Sequence, residues 1–585
     1  MNMHPAERLS GSGKRPDWRR IEAFFFFLVE AALCVFAVYF MVKRIPHGIN
    51  FDDEAWYVAD PYLVARGRIP YVNDWTMAPG FTIPLALCFR IYAAWMGTEG
   101  IMLFSRQLYL VWILSVGALT LWIIRKELDS RFPVIAWLPV LLMLYFLFYI
   151  NYNSIGVVYL PLLLTLLYAA WDKPDREAFR RGLAAGVLGG RAVIGSPFLM
   201  APAFAVLLLL FLMRKKSLRR GVLLGVGLTA LLVIGWCCLR GGVERLIYGL
   251  FVNVSDLGYF QKGAAKVEKS STLFMLWRYS IIPLQFVALA VALRLLLRRR
   301  EKLLRIALTV LALVFMIYGL RTGWRWQRLM ILNCWFEFLI LPLFPGEGKK
   351  RLALYGIALL YVLLFVISSL GNIYGVEGRE YWLIVPCILS CLTFMIVIPN
   401  RFVGRSVFTA LIACFFLIQC RYSWNQIYRD APVSEHTATI SSGIWKGCKT
   451  TEDRARDVVA LEACIRQITA PGDKVLFRDW VSYGYLMSNG EACTPSVLTN
   501  GPKILYDLFY TDQTVPDKIL YVAPHADELT IETEGHPFNP FVNDYYELTF
   551  TCENPTFRLR EYDLRDGEAA LADASAKASR LPWQS

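Results

Sequence analysis

Long apolar runs separated by short basic segments constrain this chain more than any other feature. A helix needs about 20 apolar residues to cross the hydrocarbon layer of a bilayer. Of the 585 residues, 56% are hydrophobic and only 18% are charged, which lies outside the composition of ordinary soluble proteins. The sequence therefore predicts a mainly α-helical, multi-pass membrane protein with about thirteen spans. The predicted spans are residues 24–42, 101–124, 132–150, 154–171, 182–196, 198–213, 221–239, 281–297, 306–320, 329–344, 352–371, 382–399 and 406–420.

Basic residues predict the orientation of these spans. The net charge is +14, but Lys and Arg fall in short clusters between the apolar runs, as the positive-inside rule expects, rather than in a nucleic-acid-binding patch. Clusters in the N-terminal tail and in alternate connections place that tail in the cytoplasm; Lys43 and Arg44 are a local exception. The segments predicted outside are 44–100, 240–280, 321–328, 372–381 and everything after residue 421.

After Arg421 the composition becomes that of a soluble domain. Turn residues lead into two short apolar runs, 475–477 and 519–522, which predict strands. Apolar residues at helical spacing predict a helix over 454–467. We therefore expect a cytoplasmic tail (1–23), a transmembrane domain (24–420) with a catalytic external loop (44–100), and a small extracytoplasmic α/β domain (421–585).

Four cysteines lie in the predicted external domain. They are Cys448, Cys464, Cys493 and Cys552. An extracytoplasmic location permits disulfides, and four cysteines allow three pairings. The sequence does not choose among them.

Three adjacent carboxylates follow the first predicted span almost at once: Asp52, Asp53 and Glu54. They begin a predicted amphipathic helix that ends near Gly67 and lies along the membrane interface. Capping the helix would need one carboxylate rather than three, so the cluster indicates chemistry at the membrane surface. A divalent-metal site is an alternative, but the five histidines are scattered and no second acidic cluster completes it, so no metal or other cofactor is expected.

The segment around these carboxylates resembles the first external loop of the C-type (GT-C) glycosyltransferase superfamily. The resemblance is carried by Asp53-Glu54, the interface helix, Gly67 with Pro70-Tyr71, and Pro79. It is nearest to the bacterial aminoarabinose transferases of lipid A and the protein O-mannosyltransferases, and the span number and external α/β domain match the aminoarabinose type. The resemblance implies transfer, with inversion, of a monosaccharide from a polyprenyl-phosphate donor to an extracytoplasmic acceptor. It places the catalytic base on Asp53, with Glu54 as helper and Asp52 as a close rival.

Two further positions resemble the family's donor-phosphate contacts. Arg106 starts the second predicted span after Gly100, and Arg379-Glu380-Tyr381 precedes Pro386. Guanidinium groups bind phosphate oxygens bidentately, so Arg106 and Arg379, with Tyr381, are candidate phosphate ligands. Ordinary interfacial snorkelling is the alternative explanation of each arginine.

One departure from the family concerns a cation. The aminoarabinose enzymes carry a lysine followed by two prolines where this chain has Met77-Ala78-Pro79-Gly80. Replacement cations can come from Lys262 and Lys266 or from Arg325, although the tryptophans beside Arg325 also fit an aromatic belt.

Arg191 is an ionisable residue inside a glycine-rich predicted span. Such a group usually faces a cavity or a partner. Arg191 can reach a lipid phosphate, but pairing with a buried carboxylate is the commoner use, and Glu30 and Glu337 are the acidic residues within spans.

Two other functions remain as alternatives. A lipid-linked sugar flippase or transporter needs no base but often contains internal repeats, and none is evident. A non-catalytic envelope protein of the same fold is the second alternative. The expected partners are a polyprenyl-phosphate-linked sugar, an extracytoplasmic acceptor and the lipid bilayer of the plasma or inner membrane; the donor sugar and the acceptor, whether lipid, glycan or protein, stay open.

Overall fold

The structure of the protein is a computed structural model. It describes residues 18–51, 53–72, 79–127, 133–142, 148–171, 173–196, 199–200, 203, 206–207, 215–247, 281, 284–322, 356–357, 359–366, 380–398, 400–478, 481–493, 497, 515–524, 539–553 and 557–578.

The described residues are mostly helical, as predicted. The α-helices are α1 (Trp18–Arg44), α2 (Asp53–Ala65), α3 (Pro79–Met96), α4 (Ile101–Glu127), α5 (Leu138–Leu141), α6 (Tyr152–Ala170), α7 (Asp175–Gly195), α8 (Lys216–Gly241), α9 (Leu284–Leu296), α10 (Glu301–Thr322), α11 (Ile384–Val397), α12 (Arg401–Asn425), α13 (Glu452–Ile468), α14 (Gly484–Met487), α15 (Asn539–Tyr545) and α16 (Gly567–Ala578). Three 3₁₀ turns cover Val134–Trp137, Glu380–Leu383 and Val433–Glu435.

Five of these helices, α1, α4, α6, α8 and α12, are long and apolar enough to cross a membrane. They coincide with five of the predicted spans, because a long apolar run is a signal that needs no knowledge of distant contacts. The predicted span 329–344 lies wholly outside the described residues, 198–213 lies largely outside them, and 352–371 is described only at 356–357 and 359–366. The total of about thirteen spans therefore stays a prediction.

Helices α7 and α8 approach each other closely through glycines. A Cβ atom on Gly186 would lie 2.2 Å from the carbonyl oxygen of Val222, and one on Gly225 would lie 2.4 Å from that of Leu183. Small residues that let helix backbones meet are typical of membrane helix pairs. This contact fixes the position of α7, the helix that carries Arg191.

The carboxyl-terminal region contains a five-stranded mixed sheet of order β4-β3-β5-β7-β6. Its strands are β3 (Lys474–Phe477), β4 (Glu491–Ala492), β5 (Lys518–Pro524), β6 (Tyr546–Glu553) and β7 (Phe557–Leu564). β3 runs parallel to β4 and β5, whereas β7 runs antiparallel to β5 and β6. A separate antiparallel pair joins β1 (Ala438–Thr439) to β2 (Lys449–Thr450).

The predicted strands at 475–477 and 519–522 are β3 and β5, and the predicted helix at 454–467 is α13, so these predictions are confirmed. Thr451 caps α13 by accepting a hydrogen bond from the N–H of Arg454. A disulfide joins Cys464 of α13 to Cys552 of β6. Cys448 and Cys493 are buried free thiols. The four cysteines of this region therefore form one disulfide rather than two.

Candidate active site

Helix α2 begins at Asp53, and its first turn contains Asp53 and Glu54. It ends at Ala65, where Gly67 has a φ of +113°, a conformation that glycine adopts without a Cβ penalty and that commonly follows a helix. These limits match the predicted helix. The residues from Glu54 to Val64, apart from Tyr62, are buried. Helix α3, absent from the sequence-based prediction, packs across α2, and α4 and α14 also contact it. Neighbouring helices therefore cover most of α2, and its place along the membrane interface stays a prediction.

Glu54 forms a buried, bidentate ion pair with Arg106 of α4. Arg106 Nε donates to Glu54 Oε1 at 2.6 Å, and Arg106 Nη2 donates to Glu54 Oε2 at 2.8 Å. The two side chains are only 4% and 6% exposed. Fork-to-fork geometry of this kind is the strong form of a charge-assisted hydrogen bond.

The remaining N–H groups of Arg106 bind the turn between α1 and α2. Nη1 donates to the carbonyl oxygens of Ile45 (2.8 Å) and His47 (3.4 Å), and Nη2 donates to that of Gly48 (2.8 Å). A guanidinium has five N–H donors, and all five of these have acceptors. Arg106 therefore ties α4 to this turn and to α2, and in this arrangement keeps no donor for a phosphate.

Asp53 is half-buried beside a cluster of aromatic rings. The aromatic cluster consists of Trp56, Tyr57, Phe81, Tyr149 and Tyr152. The Tyr57 ring lies 4.6 Å from Trp56, 5.0 Å from Tyr149 and 5.7 Å from both Phe81 and Tyr152, centroid to centroid. Burial, then the neighbouring Tyr152 and Tyr149, then the charge of Asp53 raise the pKa of Tyr57 well above its usual value. The Tyr57 hydroxyl thus keeps its proton beside the Asp53 carboxylate.

Arg191 of α7 has surroundings unlike those of Arg106. Its guanidinium carbon lies 5.7 Å from the centre of the Tyr159 ring. Its buried Nε has no hydrogen-bond partner, and no carboxylate of the described ranges lies within ion-pair distance of it. Glu30, weighed as a counterpart, pairs with Arg405 at 2.6 Å instead, and Glu337 lies outside the described residues.

The first turn of α3 connects Arg191 to the aromatic cluster. A Cβ atom on Gly80 would lie 2.6 Å from the carbonyl oxygen of Arg191 and 2.3 Å from the backbone N of Gly195. The next residue, Phe81, packs edge-to-face on Tyr57. The backbone at Arg191 and the aromatic cluster therefore both contact the first turn of α3.

The other predicted site residues fall largely outside the described part of the chain. Asp52, Arg379, Lys262, Lys266 and Arg325 are among them, and of Tyr381 only the backbone is described, in the turn Glu380–Leu383. That turn lies against α6, because a Cβ atom on Gly156 would come within 2.0 Å of the Trp382 ring. Among the described residues, no group of three or more His, Cys, Asp or Glu side chains is arranged to hold a metal.

The carboxyl-terminal domain supplies part of the site that the sequence-based prediction missed. The Phe51 ring, two residues before Asp53, packs edge-to-face on Tyr483 at 5.0 Å and on Trp445 at 6.1 Å. The Gly48 N–H donates to Lys449 O at 2.8 Å, and the Lys449 N–H donates to Pro46 O at 2.7 Å. No motif marks these contacts, since each joins residues hundreds of positions apart.

Comparisons with known sequences and with solved structures give different results. No protein-family description matches the chain, and no curated protein is similar to it. The chain is similar to the crystal structure of ArnT from Cupriavidus metallidurans bound to undecaprenyl phosphate, with 10% sequence identity, a TM-score of 0.35, and coverage of 93% of this chain and 98% of that chain. Since a TM-score this low carries no argument, the function proposed next rests on the site itself.

Proposed function

We propose that this protein is a membrane glycosyltransferase of the C type that moves a monosaccharide from a polyprenyl phosphate to an extracytoplasmic acceptor, with inversion. One observation carries the proposal. Two adjacent carboxylates at the start of α2 have different surroundings: Glu54 is fully engaged by Arg106, and Asp53 borders an aromatic cluster. Paired carboxylates in different environments are a common way to divide a structural role from a catalytic one.

In the proposed reaction Asp53 is the general base. An acceptor hydroxyl attacks the anomeric carbon, the new glycosidic bond forms, and the bond from that carbon to the phosphate oxygen breaks. The hydroxyl proton passes to Asp53 as attack develops, and the polyprenyl phosphate leaves with the bonding electron pair. Ligand sites combine aromatic walls with a few placed polar groups, so the aromatic cluster is proposed as one wall of the sugar site.

Glu54 acts as a helper through the backbone. Its ion pair with Arg106 fixes the first turn of α2 against α4, so the adjacent Asp53 is held in one position. Asp52 remains a candidate for the base in the same segment. Both oxygens of Glu54 accept hydrogen bonds from Arg106, so we assign the structural role to Glu54 and the role of base to Asp53.

The donor phosphate requires a cation with free donors. Arg106 has none to spare, so we propose Arg191 as the phosphate ligand within the described residues. Arg379 with Tyr381, and the loop residues Lys262, Lys266 and Arg325, are proposed as additional contacts. A guanidinium aimed at the leaving phosphate stabilises the charge that grows there during transfer.

The proposal is tested by Asp53→Asn in proteoliposomes that contain undecaprenyl-phosphate-linked hexoses or pentoses and an envelope lipid extract as acceptor. We expect release of undecaprenyl phosphate to fall by about 10²- to 10⁴-fold, the usual contribution of a general base. Thermal unfolding should stay as in the wild type, since Asn has the shape of Asp.

The matched control is Asp453→Asn, at a side chain that is 80% exposed in the carboxyl-terminal domain. It should leave turnover unchanged. Near-normal turnover of Asp53→Asn would remove Asp53 from the mechanism. If the wild-type protein moves the lipid-linked sugar between leaflets without consuming it, the flippase alternative holds.

A further inference from the structure

The segment between α1 and α2, residues 45–51, is held from the carboxyl-terminal domain as well as by Arg106. In addition to the pairing of Gly48 and Pro46 with Lys449, the Ile49 N–H donates to Asp430 Oδ2 at 2.7 Å. Ile49 lies four positions before Asp53. The backbone that leads into the proposed base is therefore anchored by residues 430–450.

Asp430 is the centre of this anchor. Its Oδ2 accepts from the Ile49 N–H and from Thr450 Oγ1 (2.9 Å), and its Oδ1 accepts from the Ala431 N–H (2.8 Å) and from Arg454 Nη1 (3.1 Å). The carboxylate is fully buried. Removing a buried acceptor leaves its donors unpaired, which destabilises the contacts that they made. Asp430 is thus bound on every side, and one of its bonds reaches the segment before α2.

Two histidines pack beside this carboxylate. The rings of His47 and His436 stack at 5.4 Å with an interplanar angle of 22°, and their Nδ1 atoms are 3.3 Å apart. His436 Nε2 lies 3.8 Å from Asp430 Oδ2. His47 belongs to residues 45–51 and His436 to residues 430–450. The stacked rings therefore join the same two segments as the hydrogen bonds of Asp430.

We propose that Asp430 is a positioning residue for the proposed base Asp53, and we call Asp430, Thr450 and the Ile49 backbone the latch. The catalytic consequence rests on the proposed function; the structural consequence does not. The latch fixes the position of the backbone just before α2. Misplacement of a reacting group by about 1 Å can lower the rate by about 10²-fold. Residues 430–450 thereby contribute to the site without touching the substrate.

Activity tests the latch through three variants. Asp430→Asn should lower kcat by about 10- to 100-fold with the KM for an undecaprenyl-phosphate-linked sugar unchanged, because the base is displaced and the donor contacts remain. Thr450→Val, which removes the hydroxyl at constant size, should lower kcat less. Thr450→Ser keeps the hydroxyl and should have a kcat close to that of the wild type. If Thr450 only filled space, the smaller Ser would not preserve kcat. Asp453→Asn again serves as the control.

Amide hydrogen exchange tests the latch without any assay of transfer. Asp430→Asn and Thr450→Val should speed exchange over residues 45–51 while exchange in α13 stays slow. Unchanged exchange there, or faster exchange with an unaltered kcat, overturns the proposal. If Asp430→Asn does not fold, the comparison of Thr450→Val with Thr450→Ser tests the proposal instead. If the wild-type protein consumes no lipid-linked sugar, the proposed function fails, and the exchange comparison still decides whether Asp430 holds the segment.

Discussion

Arg106 and Arg191 are the same side chain in two opposite situations. Arg106 has an acceptor for each of its five N–H groups, two of them on a buried carboxylate. Arg191 lies over a tyrosine ring, and the described residues give it no carboxylate. Arg191 is half-buried and its Nε is shielded from solvent, so an anionic ligand would supply a partner for its charge. The comparison teaches that the neighbours of an arginine, rather than its place near a membrane surface, decide whether it binds structure or substrate.

The largest expected effect is a loss of stability when Arg106 is replaced. Arg106→Met leaves Glu54 buried without a partner, which costs about 3–5 kcal/mol for a broken buried ion pair. We expect a clearly lower midpoint of thermal unfolding in detergent micelles. Pairing the change with Glu54→Gln removes both charges and should recover much of the loss, as a double-mutant cycle would quantify. If Arg106→Met were as stable as the wild type, the contacts of Arg106 with α2 and with the preceding turn would not contribute to stability.

Arg191→Met should give the reverse pattern. A hydrogen bond to a charged group contributes about 1.5–3 kcal/mol, so the affinity for undecaprenyl phosphate in nanodiscs should fall by about 10- to 100-fold. The unfolding midpoint should hardly change, because no ion pair is broken. Arg305→Met is the control, since Arg305 pairs with the exposed Glu301 within α10. Unchanged affinity for the lipid phosphate would move the ligand role to Arg379 or to the loop cations.

The smallest expected effect is a pH dependence of stability at His47 and His436, beside the turn that Arg106 binds. Burial, then His436 and Arg44, lower the pKa of His47 to about 4, and burial lowers the pKa of His436 despite Asp430. The folded state therefore binds fewer protons than the unfolded chain, whose histidines titrate near 6.5. Stability should be complete above about pH 6.5 and decline as the pH falls toward 4.

Thermal unfolding between pH 7.5 and 4.5, compared with His47→Gln, checks this prediction. His47→Gln should flatten the pH dependence without removing it, because His436 remains. An identical slope in the variant would contradict the assignment.

The sequence predicted those parts of the molecule whose signals are local. Five spans, two strands and α13 follow from runs of apolar residues and adjacent turn residues. The limits of α2 follow from the acidic start at Asp53 and from Gly67. These features depend on residues a few positions away, so they can be predicted without knowledge of the tertiary structure.

Other parts depend on contacts between distant residues and could not be predicted. Nothing near Arg106 indicates that Glu54, 52 positions earlier, would occupy its guanidinium. The burial of α2 depends on α3 packing across it, and the choice of Cys464–Cys552 depends on where α13 meets β6. The position of Asp430 has no sequence signature, because its partner Ile49 is 381 residues away.

That separation has a consequence for how the protein is made. Translation proceeds at about 5–20 residues per second, so roughly 20–80 s pass between the synthesis of Ile49 and that of Asp430. During that interval the first helices can enter the bilayer while the segment ahead of α2 still lacks its carboxyl-terminal partners. Under the proposed function, a nascent chain should therefore stay inactive until residues 430–450 have emerged and folded, which delays the onset of activity beyond the insertion of the first helices.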